Sequence, residues 1–121
     1  MNKKIFTTIL VLALVLMLGI LFWERDESKA NLDEFAQCLT DKGAVMYGAE
    51  WCAHCQNQKK EFSDSFRRVS YVECSQNTQV CLEKGISGYP TWILADGQKL
   101  VGEQELEKLS QKTGCPLPQE K

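Results

Sequence analysis

Trp51-Cys52-Ala53-His54-Cys55 is the stretch that most narrows what this chain can become: two cysteines two residues apart, where a short apolar run gives way to a helical pattern. A helix beginning near Cys52 aims its unpaired backbone N–H groups and the positive end of its dipole at that sulfur, which favours thiolate over thiol. Cys52 is therefore the expected nucleophile. Cys55, about one turn further in, is the expected resolving thiol, and His54 has electrostatic reach to either sulfur. The competing readings of the pair are half of a zinc site and a plain structural bridge. One histidine and no second C-x-x-C favour redox chemistry.

The chain has 121 residues and a net charge of -2. That is room for one folded domain, residues 31–121, after an amino-terminal segment, residues 1–30. No basic stripe interleaved with aromatics is present, so nucleic acid is not an expected partner, and Lys59, Lys60, Arg67 and Arg68 read as a solvated helix face. Six cysteines in so small a domain fit an oxidising compartment. In the first segment Lys3 and Lys4 precede an uncharged run from Ile5 to Trp23, followed by Glu24-Arg25-Asp26-Glu27. Nineteen residues at about 1.5 Å each approach the ~30 Å hydrocarbon thickness, whereas secretory apolar cores stop at roughly 7 to 15 residues. A retained single-pass anchor is favoured over cleavage near Ser28-Lys29-Ala30. With the lysines cytoplasmic and Trp23 at the far interface, the domain is expected on the extracytoplasmic side of the cell membrane.

Beyond the acidic linker, Asn31 is the expected cap of a helix carrying Leu32, Phe35, Ala36 and Leu39 at helical spacing and stopping at Gly43. Ala44 to Ala49 reads as a strand buried on both faces. The pattern predicts a helix from Cys52 to about Phe66 and a strand from Val69 to Cys74, hence a right-handed crossover between parallel neighbours with the dithiol at a strand's carboxyl end. A short helix follows from Asn77 to Lys84. Trp92 to Ala95 and Gln98 to Val101 form a hairpin about Asp96-Gly97, making the sheet mixed, and a last helix runs from about Glu103 to Lys112.

Together these pieces resemble the thioredoxin superfamily: W-C-x-x-C at a strand-to-helix junction and, further on, Gly88-Tyr89-Pro90-Thr91 opening a hairpin. The likeness covers most of residues 31–116 and implies a thioredoxin-like α/β fold. It also implies a cis bond before Pro90, which lies against the reactive pair, and a Tyr89 backbone that binds substrate chains. Phe35-Ala36-x-Cys38-Leu39, Met46-Tyr47-Gly48-Ala49, the run Trp51 to Lys60, Tyr71-Val72-Glu73-Cys74 and Gly88 to Trp92 are similar to the thioredoxin-like domain fused to bacterial and plant homologues of vitamin K epoxide reductase. The resemblance implies exchange of disulfides with secreted protein thiols and electron transfer to a membrane quinone reductase, here a separate protein, with no cofactor held by this chain. Three departures stand out from thioredoxins: Met46 in place of a buried acid, Lys60 in place of a kinking proline, and Ala53 where the family often has proline.

The remaining cysteines allow three pairings, of which Cys74 with Cys81 and Cys38 with Cys115 are favoured as structural bridges, the second tying the first helix to the last. Trp92 is expected in the core and Trp51 over the site. The functional expectation is a membrane-anchored thiol-disulfide oxidoreductase working as oxidase or isomerase. The alternatives are a reductase, for example of apocytochrome thiols, and a metal or copper-delivery module using Cys52, Cys55 and His54.

Overall fold

The strand leading to the cysteine pair, β1 (Val45–Gly48), lies at the centre of a four-stranded sheet of order β2-β1-β3-β4. β2 (Tyr71–Glu73) runs parallel to it on one side, β3 (Thr91–Ile93) antiparallel on the other, and β4 (Lys99–Val101) pairs antiparallel with β3 at the edge. In this computed structural model residues 2–119 are described, except that the side chains of residues 22–31 are not. The chain divides into two compact units, Met1–Ala30 and Asn31–Lys121.

Side chains alternate across a strand, and the registers carry that alternation through the sheet. Met46 stands opposite both Tyr71 and Trp92, and these pack in one core with Phe35, Leu39, Phe62 and Leu109. Tyr47 faces the other way and packs with Cys74 and Cys81. The helices are α1 (Lys3–Asp41), α2 (Ala53–Phe62), α3 (Thr78–Glu83) and α4 (Leu106–Thr113).

The mixed α/β architecture is the expected one, with several boundaries moved. No helix starts at Asn31, because α1 is continuous from Lys3 to Asp41; the expected cap at Asn31, the acidic patch 24–27, Trp23 and the cut site 28–30 involve side chains outside the described residues. Lys3–Leu21 is long and apolar enough to cross a membrane. The helix predicted to reach Phe66 ends at Phe62. Ser63 takes φ 51, a left-handed conformation, and Ser63–Arg68 continues as a 3-10 helix. There Ser65 and Arg67 donate to the Asp33 carboxylate of α1, and Arg68 forms a second ion pair with it. Those hydrogen bonds, the Arg67 guanidinium first, hold the Asp33 carboxyl well below the usual carboxylate range. Arg67 and Arg68 are thus engaged with α1 rather than forming a purely solvated face. The last helix starts at Leu106, not Glu103: Glu105 keeps an extended backbone, and the Gln104 carbonyl accepts from Gln58 Nε2 at 3.0 Å, so the first helical N–H groups, those of Lys108 and Leu109, donate to Glu105 O instead.

Candidate active site

β1 ends at Gly48, and the chain turns through Ala49-Glu50-Trp51 into α2. The turn is closed by the Cys52 N–H donating to Ala49 O at 3.1 Å and by Gln56 Nε2 donating to Glu50 O at 2.7 Å. Cys52 is the N-cap of α2, with extended backbone, and its sulfur accepts the Cys55 N–H at 3.2 Å. A sulfur in that place does what a serine or aspartate oxygen does at other helix starts, and it is a good position for negative charge. Opposite, Tyr89 and Pro90 are joined by a cis peptide bond, and the Cys52 thiol donates to Tyr89 O at 3.7 Å.

The two sulfurs differ in access. Cys52 is 7% exposed and Cys55 0%, and both are thiols. Burial, then the hydrogen bond with Cys52, pushes the Cys55 thiol up to about 12; Lys59 acts in the opposite direction. Trp51 is 72% exposed and meets Tyr89 edge-on at 5.8 Å, while Trp92 is sealed in the core.

His54 projects outward, its side chain 74% exposed, and its Nδ1 lies 2.6 Å from Glu103 Oε1, which Asn57 Nδ2 also reaches at 3.2 Å. The imidazole contact, reinforced by Asn57, holds the Glu103 carboxyl below its ordinary value. The Glu103 carboxylate therefore sits beside the His54 imidazole at the rim of the site. Among the described residues, no three or more His, Cys, Asp or Glu side chains are grouped to hold a metal ion.

The other four cysteines form the bridges Cys38–Cys115 and Cys74–Cys81. Glu103 and Asn57 join the site without any local signal, since Glu103 is 49 residues from His54 in sequence. Gly48 does carry one: a glycine inside a strand pattern marks close approach of another group. Here that group is Cys55, whose sulfur lies 2.9 Å from where a Gly48 Cβ would sit.

A dithiol at the start of the helix following the central strand, set against a cis-prolyl loop on a mixed sheet, is the arrangement of a thioredoxin-like domain. A family model described as Thioredoxin matches residues 26–113, and the chain belongs to the thioredoxin family. It is 41% identical over 93 residues to "Thiol-disulfide oxidoreductase LTO1" of Arabidopsis thaliana, covering 69% of this chain and 24% of that protein. It is 31% identical over 85 residues to "Protein disulfide isomerase-like 2-2" of Oryza sativa subsp. japonica, covering 59% of this chain and 23% of that protein. This chain thus spans less than a quarter of the length of either. Among solved structures, a mutant thioredoxin from Halobacterium salinarum is similar in fold, with a TM-score of 0.50 and 22% identity over 71% of this chain and 87% of that one.

Proposed function

We propose that the chain is a membrane-anchored thiol-disulfide oxidoreductase whose domain works outside the cytoplasm, oxidising or isomerising protein thiols through Cys52 and Cys55. The observation that carries this reading is the Cys52 sulfur capping α2, with the Cys55 N–H donated to it and the Cys55 sulfur buried behind. A substrate thiolate attacks Cys52 of the oxidised pair, the Cys52–Cys55 bond breaks, and its electrons pass to Cys55. A second substrate thiol then attacks the mixed disulfide and releases the reduced pair. Its two electrons go to a separate membrane redox partner of the vitamin K epoxide reductase kind. Pro90 and the Tyr89 carbonyl, which already accepts from the Cys52 thiol, form the surface against which a substrate backbone aligns, and exposed Trp51 widens it. The apolar helix Lys3–Leu21 supports the anchor. The two disulfides outside the pair support an oxidising compartment.

Glu103 favours a second reading. An imidazolium at His54 stabilises the reduced, thiolate-bearing form and makes the disulfide a stronger oxidant, whereas the carboxylate 2.6 Å from it offsets that effect and moves the pair toward a reductase. A redox titration separates the two: about -120 to -180 mV marks the oxidant and about -270 mV the reductase. The exchange chemistry itself is tested with Cys55→Ser, which should accumulate disulfide-linked partners at Cys52 in cells and lose them when Cys52→Ser is added. If Cys55→Ser captures nothing, the reading fails.

A further inference from the structure

Cys55 is fully buried, and its thiol, pushed up to about 12, holds its hydrogen at neutral pH. In the resolving step its sulfur bonds to Cys52 while the bond from Cys52 to the substrate sulfur breaks. The substrate sulfur leaves with the electron pair, and the Cys55 hydrogen must depart as a proton. Met46, the β1 side chain on that face, has no group to take it.

The neighbouring strand does. Met46 pairs with Tyr71 and Gly48 with Glu73, so alternation sends Tyr71 and Glu73 to the face that Met46 and Gly48 share. The space a Gly48 side chain would fill is approached from both sides: its Cβ would stand 2.9 Å from Cys55 Sγ and 3.3 Å from the Tyr71 hydroxyl oxygen. Two atoms so close to one point are at most about 6 Å apart, the span of one bridging water. The Tyr71 hydroxyl donates to Glu73 Oε2 at 2.6 Å. The other carboxylate oxygen accepts the Glu50 N–H at 3.1 Å and the Ser75 hydroxyl at 2.7 Å, both at the protein surface.

We propose that Tyr71 and Glu73 are the proton path of Cys55, Tyr71 as the relay and Glu73 as its outlet to solvent. The inference rests on the dithiol exchange proposed above. With its hydrogen committed to Glu73, the Tyr71 oxygen turns lone pairs to the pocket. It accepts the Cys55 proton, directly or through one water, as its own hydrogen passes to Glu73 Oε2 and then to bulk water. The dithiol is thereby oxidised to a disulfide and the substrate sulfur reduced. When a substrate thiolate opens the disulfide at Cys52, the electron pair moves to Cys55 and a proton returns by the same route. The other titratable groups facing Tyr71 are Cys52 and Lys59 of α2, whose Nζ lies 4.1 Å from the ring centre and whose charge favours the Cys55 anion. Burial, together with the Glu73 carboxylate, keeps the Tyr71 phenol protonated.

The test loads the full chain with glutathione at Cys52 and follows glutathione release by rapid quench from pH 6 to 9. Tyr71→Phe keeps the ring that meets Lys59 and removes only the hydroxyl. Release should slow on the order of a hundredfold at pH 7, with a rate that now climbs about tenfold per pH unit as hydroxide takes over the proton. Glu73→Gln, which retains Tyr71, should shift the profile in the same sense and serves if the first variant fails to fold. Wild-type release with variant profiles superimposed on it overturns the path and leaves the exchange standing. A wild type that loads at Cys52 but never releases glutathione overturns both.

Discussion

At Gly48 a side chain has no space to enter: besides the sulfur at 2.9 Å, its Cβ would meet Tyr71 Cε2 at 3.2 Å, and both neighbours are held by packed elements. Gly48→Ala should therefore cost about 1–3 kcal/mol in urea denaturation and, on the exchange proposed above, slow it, because the atom that must move is the Cys55 sulfur. Cys55 adds a pH dependence. Its folded value is raised from 9.0 to about 12, so the neutral thiol's contribution to stability is fully present below pH 9 and is lost as pH rises toward 12. The oxidised pair has no thiol to titrate. Urea melts of both forms should show the reduced protein losing stability relative to the oxidised one above pH 9. The dithiol was legible in the sequence because its spacing is local. The Glu103 partner of His54 was not, since only the fold brings together residues so far apart.

Helix α2 is the element that joins the site to the core. Gln58, fully buried in its middle, accepts the Trp92 Nε1–H at 3.3 Å and the Gln104 N–H at 2.7 Å, and donates to Gln104 O at 3.0 Å. One side chain thus fastens α2 to β3 and to the segment before α4. Gln58→Met keeps the volume and strands two buried donors, so a loss of about 2–4 kcal/mol is expected, measured by chemical denaturation. The same bonds explain why the start of α4 was misplaced by periodicity alone: Glu103 and Gln104 have helix-compatible residue types, but Gln58 holds the Gln104 backbone. The end of α2 was hidden for a similar reason, as Phe66 continues the apolar spacing while Ser65 and Arg67 are drawn to Asp33.

For the unit Asn31–Lys121 as a whole, the parallel β1–β2 pair and the antiparallel β3–β4 hairpin were readable from short strand-like runs bounded by turn residues, whereas the β1–β3 pairing that joins them carries no local signal. Its two bridges differ in how much chain they close. Cys38–Cys115 spans 77 residues and Cys74–Cys81 spans 7, so loop entropy assigns them about 4.5 and about 2.5 kcal/mol. Replacing Cys38 and Cys115 together with serine should lower the stability of the domain by about 2 kcal/mol more than the same change at Cys74 and Cys81, read from urea midpoints.

Trp51 and Trp92 are the two tryptophans of this unit, one bare beside Cys52 and the other sealed inside. Water relaxes around the excited state of the first and cannot around the second, so they fluoresce at separable wavelengths. With Trp23 replaced by Phe, the long-wavelength signal follows events beside the Cys52–Cys55 pair, the short-wavelength signal follows unfolding, and a single unlabelled sample serves for both.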